Sequence, residues 1–347
     1  MSLYDWIRPL LFRLDPEQAH NLTLQMLGAA GEFPVIESVL RRSFWFDPRT
    51  TVRAFGLDFP NPLGLAAGYD KDGRAIRGLA GLGFGHLELG TVTPQPQSGN
   101  LRPRVFRLTQ DRALINRMGF PNAGADNLLG QIQKHRPKGV ILGVNIGKGV
   151  ETSVADAAED YLALLDTFYD EADYLAVNIS SPNTPGLREL QERDRLEGLL
   201  STLAARRRIL VESGRGYVPI LVKLAPDLSD AALDEACGAI GSSGMDGVIA
   251  TNTTLSRHGL RDRKRIETGG LSGAPLRPLA TEVIRTVHGL TDGKLPIVGA
   301  GGVFGPEDAR AMFDAGASLV QVFTGLVYQG PWLPRRILEG LKPDGKD

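Results

Sequence analysis

The 347-residue chain has one cysteine, Cys237, which excludes an internal disulfide and any cysteine-rich metal centre. Cys237 falls on a helical pattern, where a thiol serves packing rather than nucleophilic chemistry. Histidines number 5, and no His cluster or carboxylate pair stands out, so no metal site is expected. The 39 basic and 40 acidic residues leave a net charge of -1 with no block of either sign, which excludes nucleic acid as an expected partner. Nothing in the chain implies a protein partner. No apolar stretch approaches the roughly 20 residues that cross a bilayer, and Met1–Leu14 lacks the features of a signal peptide.

What is abundant is glycine, at 42 residues, and proline, at 22, with no low-complexity run of either. Such an excess serves many separate turns and close backbone approaches, the composition of a loop-built site. At the N-terminus Leu3, Trp6, Ile7, Leu10, Leu11 and Leu14 recur at helical spacing and predict an amphipathic helix. A second helix is predicted from Asp15-Pro16-Glu17-Gln18, where Asp15 caps, Pro16 fits the first turn and Gln18 completes a capping box. Their apolar stripe fits a cover packed on the main domain or a hairpin lying on a membrane surface, and periodicity does not separate the two. Strand-like Thr51–Phe59 follows, so residues 1–45 are expected to form a helical domain and residues 46–347 the main domain, with the boundary near Phe46.

Eight short apolar runs then alternate with helical stretches: Leu63–Ala67, Phe84–Leu89, Val140–Ile146, Tyr174–Ile179, Ile220–Leu224, Gly247–Thr251, Ile297–Ala300 and Leu319–Phe323. The intervening helices include Ala155–Tyr169, Asp230–Ile240 and Pro306–Ala315. Eight βα units of this length predict an α/β fold, a (β/α)8 TIM barrel. The competing doubly wound sheet lacks a GxGxxG after its first strand.

A barrel of this class assembles its site at the C-terminal strand ends. Those ends carry Gly68 to Lys71, Thr91, Asn145, Asn178, Lys223, Thr251 to Thr253, Gly301-Gly302 and Phe323 to Gly325. Two lysines and three amides together suit a flat anionic ligand, because Lys offsets negative charge while Asn reads donor and acceptor edges. Glycines at Gly299, Gly301, Gly302 and Gly325 mark a phosphate cradle after the last two strands. The long polar loop Asn178–Gly186, held by two prolines, reads as a lid that presents the Ser181 hydroxyl.

The sequences AAGYDKDG at Ala66–Gly73, GNLRPRVFRL at Gly99–Leu108, INRMGF at Ile115–Phe120, VNISSPNTPGLREL at Val177–Leu190, TNTT at Thr251–Thr254 and TGGLSGAPL at Thr268–Leu276 occur in one order. By these the chain resembles the class 2, quinone-dependent dihydroorotate dehydrogenases over about Asn61 to Pro331. The resemblance implies oxidation of dihydroorotate to orotate in pyrimidine synthesis, with FMN as cofactor and a membrane quinone as final acceptor. It makes Ser181 the catalytic base, with Thr184 and water near Phe120 as a route for its proton. Substrate contacts would come from Lys71, Asn116, Arg117, Met118, Gly119, Phe120, Asn178, Asn183, Asn252 and Thr253. Flavin contacts would come from Ala67, Gly68, Thr91, Asn145, Asn178, Lys223, Thr251, Gly273, Gly302, Phe323 and Thr324. His20, Arg107 and Phe323 match the family's quinone pocket, although Phe323 stands where the family commonly has Tyr and so offers quinone no hydroxyl. The implied location is peripheral, on the cytoplasmic face of the inner membrane, through N-terminal helices expected to serve the acceptor alone.

Three other readings compete. A soluble class 1 dihydroorotate dehydrogenase is disfavoured by Ser181 and by the N-terminal helices. A tRNA dihydrouridine synthase would bring a basic surface and a catalytic cysteine, neither of which is evident. A membrane-associated scaffold without activity would hold no flavin.

Overall fold

The computed structural model describes residues 3–44 and 51–342. The expected domain boundary near Phe46 lies outside the described residues. Eight parallel strands close into a barrel in chain order: Leu63–Leu65, His86–Val92, Ile141–Ile146, Tyr174–Asn178, Ile220–Leu224, Gly247–Ala250, Ile297–Ala300 and Leu319–Val322. The predicted runs therefore form the eight staves of a TIM barrel. Only the second is displaced, starting two residues late and continuing to Val92 through an irregularity between Gly90 and Val92.

The N-terminal ends of the strands are closed by an antiparallel hairpin, Val52–Ala54 with Leu57–Phe59. Its Phe55 and Phe59 pack among Tyr174, Leu221, Ile249 and Leu319 inside the barrel, each buried ring contributing about 1.5–3 kcal/mol. Over the opposite face stands a three-stranded antiparallel sheet of Val105–Leu108, Ala113–Asn116 and Gly270–Gly273. This sheet roofs the end of the barrel where a site belongs.

Three helices, not two, precede the barrel: α1 (Leu3–Leu11), α2 (Pro16–Glu32) and α3 (Pro34–Phe44). The stripe Val35, Ile36, Val39 and Leu40 is the helical signal of the third. Asp15 caps α2 as predicted, its carboxylate accepting from the backbone N–H of Glu17 and Gln18. Tyr4 and Arg8 of α1 donate to the carbonyls of Val327 and Tyr328, which ties α1 to the helix that follows the last strand. Crossing of α2 over the helix Ile76–Ala80 depends on glycine, because a Cβ at Gly78 would lie 2.0 Å from the carbonyl oxygen of Leu27. Among the described residues no helix is long and apolar enough to cross a membrane.

Gly78→Ala is therefore expected to push α2 away from the barrel at a cost of roughly 1–3 kcal/mol. Limited proteolysis should cut residues 3–44 sooner and the thermal midpoint should fall. A midpoint and cleavage rate equal to wild type would contradict this crossing.

Candidate active site

A cavity of about 540 Å³ runs from the C-terminal strand ends to the N-terminal helices. Its inner end is walled by Lys71, Asn116, Asn178, Ser181, Asn183, Asn252 and Thr253, and its outer end by Tyr4, Ile7, Leu11, Phe12, His20, Met26 and Arg107. One space thus joins a polar floor to an apolar mouth.

The polarity of the floor is set from below by Glu88, whose side chain is fully buried inside the barrel. Four donors converge on its two oxygens: Asn145 Nδ2 at 2.8 Å, Gln321 Nε2 at 2.7 Å, Tyr174 OH at 3.1 Å and the Lys223 ammonium at 3.6 Å. A carboxylate that only accepts obliges Asn145 to point its NH2 down, so its oxygen faces up and receives Thr91 Oγ1 and Asn178 Nδ2. Asn178 in turn presents its oxygen to Ser180 and to Asn252 Nδ2 at 3.2 Å. The orientation of three amides is therefore inherited from one buried charge.

Ser181 is buried on the loop leaving the fourth strand, and its Oγ accepts from the backbone N–H of Asn183 at 3.3 Å. Asn183 reaches across to Asn116 Oδ1 at 3.2 Å, closing the pocket on that side. The hydroxyl of Thr184, three residues on, is buried without a protein partner. Arg188 braces this loop, donating to the carbonyls of Ser180 and Thr253 at 3.0 Å each while pairing with Asp227 at 2.9 Å. Lys71 faces the cavity and donates to the carbonyl of Gly68 at 2.9 Å. Burial of its ammonium pulls its pKa down to about 8.

Glycine cradles the far side. A Cβ at Gly302 would lie 2.8 Å from the carbonyl oxygen of Gly273, and one at Gly325 would lie 2.0 Å from that of Val303. With Ser272 and Thr324 sharing a 2.8 Å hydroxyl contact beside them, these turns fit the phosphate end of a flat cofactor. Ala67, Gly68, Thr91, Lys223 and Thr251 line the space between that cradle and the amides.

Towards the helices the wall turns aromatic. Phe323 packs edge-on to Tyr69 at 5.5 Å, and Tyr69 edge-on to His20 at 5.0 Å. Burial holds His20 neutral, with its pKa lowered to about 4. Arg107 stacks over Phe12 at 4.2 Å and donates to its carbonyl at 3.1 Å, yet its buried Nε–H has no protein acceptor. A free donor beside an apolar channel fits the carbonyl of a hydrophobic ligand.

Nearly all the sequence-predicted residues meet at this cavity, including Met118, Gly119, Phe120, Gly273, Gly302 and Thr324. Two do not line it. The Arg117 guanidinium turns away to Glu267 at 2.8 Å and stacks over Phe106 at 4.4 Å, so its expected side-chain contact with substrate is not supported. Asn145 lies one layer beneath, fully buried, and acts on the floor through Thr91 and Asn178. Sequence reading missed Glu88, Gln321, Tyr69 and Arg188. Glu88 and Gln321 left a signal, as polar residues inside buried apolar strands.

A TIM barrel whose C-terminal strand ends hold an amide-lined pocket, a row of glycine turns and an apolar side channel has the architecture of a barrel enzyme. The sequence profile of the family described as Dihydroorotate dehydrogenase matches residues 49–344. A relative from Cellvibrio japonicus named Dihydroorotate dehydrogenase (quinone) is 50% identical over 333 residues, covering 95% of this chain and 96% of its own. One of the same name from Azotobacter vinelandii is 50% identical over 340 residues, covering 98% of this chain and 96% of its own. The solved structure of DHODH from Eimeria tenella in complex with ferulenol superposes with a TM-score of 0.86 at 37% identity, covering 94% of this chain and 90% of that one. The chain belongs to the dihydroorotate dehydrogenase family.

Lys71 generates a pH prediction. With its pKa lowered to about 8, the ammonium is present below that pH and lost above it. An anion paired with it should bind progressively more weakly above the pKa, approaching tenfold per pH unit. Calorimetry with orotate should show this rise in wild type and lose it in Lys71→Gln; a flat wild-type profile from about pH 7 to about pH 9 would remove Lys71 from anion binding.

Proposed function

We propose that the protein oxidises dihydroorotate to orotate on the de novo route to UMP, with FMN as hydride acceptor and a membrane quinone as final electron acceptor. The observation that carries this reading is the single cavity that joins the Ser181 pocket to an apolar channel ending among the N-terminal helices. FMN, when bound, supplies the hydride acceptor and passes electrons to quinone. Gly273, Gly302 and Thr324 would hold its phosphate end, and Lys223, Thr91 and Thr251 its ring. Everything else falls to the protein's side chains.

Substrate would lie among Asn116, Asn178, Asn183, Asn252 and Thr253, with Lys71 offsetting its negative charge. Ser181 takes the proton alpha to the ring carbonyl as hydride leaves the adjacent carbon, and Lys71 with the amides stabilises the charge that develops. A hydroxyl is a weak base at neutral pH, so its own proton must move on. The unpartnered hydroxyl of Thr184 and water beside Phe120 supply that route. Quinone would enter between α1 and α2 towards His20, Arg107 and Phe323; the unpartnered Nε–H of Arg107 is the donor it would meet, since the His20 imidazole bonds to the Tyr69 backbone and Phe323 lacks a hydroxyl.

The protein would sit on the cytoplasmic face of the inner membrane, attached through these helices without spanning it. Supporting this, Trp6 is 71% exposed and Leu10 61%, while Tyr4, Leu11 and Phe12 of the same segment line the channel. Met26, Phe33, Val35 and Val39 extend the exposed apolar face, with Arg41 and Arg42 beyond it. A packed cover accounts for one side of α1 and leaves the other without a partner.

Anaerobic mixing with dihydroorotate should reduce bound flavin, and a quinone rather than NAD or fumarate should reoxidise it. Ser181→Ala should retain flavin and orotate binding but reduce flavin roughly 100- to 10,000-fold more slowly. Wild-type flavin untouched by dihydroorotate would overturn the activity, and an unaltered rate in the variant would overturn the role of Ser181. For attachment, the double variant Trp6→Ser, Leu10→Ser should leave anionic vesicles on sedimentation while flavin reduction stays at the wild-type rate. Sedimentation equal to wild type would overturn the membrane role of α1.

A further inference from the structure

We propose that Glu17, in the first turn of α2, is a positioning residue for the dihydroorotate pocket, acting through Arg104 on the segment 97–121. The inference rests on the functional reading above and departs from the expectation that the N-terminal helices serve the acceptor alone.

Arg104 stands just before the first strand of the roof, with a side chain only 6% exposed. Its Nη2 reaches Glu17 Oε1 at 2.7 Å and its Nε reaches Oε2 at 3.1 Å, a forked pair across the junction of helix and barrel. The remaining nitrogen, Nη1, donates to the carbonyls of Ser98 at 2.6 Å and Asn100 at 2.9 Å. Asn100 carries the constraint inward: its N–H donates to the Met118 carbonyl at 2.9 Å, and its side chain to the carbonyls of Arg117 at 3.0 Å and Asn183 at 3.4 Å. Gln97 fixes the Gly119 carbonyl at 2.9 Å. These carbonyls belong to the two segments that carry Asn116, Phe120 and Asn183. A guanidinium this buried needs its counter-charge in place, because without it the cation must reorient towards water and release the Ser98 and Asn100 carbonyls. Arg102 also pairs with Glu17, at 3.0 Å, but its side chain is 69% exposed and the pair is screened.

The same two residues act on Lys71. Asp70, Asp72 and Glu17 raise its pKa while Arg104 lowers it, and His20 and Arg74 stand in the same neighbourhood. Glu17 and Arg104 thus oppose each other at the ammonium. Removing the Glu17 charge takes away one of the groups that hold the proton on Lys71, so Lys71 should lose it at a lower pH than in wild type. A role confined to holding the fold together would not move that midpoint.

The test is orotate binding by calorimetry to flavin-loaded, full-length protein across pH, for wild type, Glu17→Gln, Glu17→Asp and Arg102→Gln. Loss of a charged buried bond should weaken orotate roughly 5- to 20-fold in Glu17→Gln and shift the pH midpoint downward. Glu17→Asp keeps the charge, so it folds even if Glu17→Gln does not; it should weaken orotate while leaving the midpoint at the wild-type value. Arg102→Gln should match wild type in both. Wild-type affinity and midpoint in both Glu17 variants would overturn the proposal, as would slower quinone turnover with orotate binding unchanged. Failure of the wild-type protein itself to bind orotate would instead overturn the functional reading.

Discussion

The chemistry of this molecule depends on a carboxylate that never meets solvent. Glu88 lies inside the barrel under four donors, and since it can only accept, the amides above it have one permitted orientation. Asn145, Asn178 and Asn252 hand that polarity upward to the pocket floor. The pair with Lys223 is nearly free of water, with exposures of 7% and 0%, so little screening intervenes and loss of either partner would strand a charge. An ion pair of this kind secures little net stability, but it fixes direction. Pre-oriented dipoles are what a site needs to stabilise charge that exists only in passing.

A second constraint is geometric. The N-terminal helices are held close to the barrel by glycine at the crossing with Ile76–Ala80, by Tyr4 and Arg8 on the helix that follows the last strand, and by Arg335 on the carbonyl of Ser43. Docked in this way they wall one end of a cavity whose other end is the amide floor. Their outer faces keep large apolar side chains exposed. One short segment thus carries a cavity-facing side, an exposed apolar side and the Glu17 pair to Arg104, of which only the amphipathic pattern shows in its periodicity.

Much of this was readable in the chain itself. The eight strands stand out because buried parallel strands are short apolar runs, and the site residues stand out because polar groups follow those runs at the C-terminal ends. Lys71, Lys223 and Ser181 were found in that way, the last only with the help of a family resemblance, since a loop serine carries no signature of its own. The third helix, Pro34–Phe44, is absent from that reading although its apolar residues recur at helical spacing and Pro34 fits its first turn. Arg117 follows the end of the strand Ala113–Asn116, and its side chain runs to Glu267 and over Phe106, away from the cavity that its neighbours line. Glu17 was out of reach for a different reason. A glutamate in a first helical turn reads as a partner of the helix dipole, and its pairing with Arg104, 87 residues away, is a property of the fold alone.

The central claim is that the pocket floor oriented by Glu88 receives the dihydroorotate ring against Ser181. A crystal structure of the flavin-loaded protein with orotate tests it most directly. The account predicts orotate within hydrogen-bond distance of Asn116, Asn183 and Asn252, its carboxylate neighbourhood including Lys71 and its ring facing the Ser181 hydroxyl. Orotate seated instead in the apolar channel against His20 and Arg107, or amides turned to present the opposite edges to it, would contradict the account.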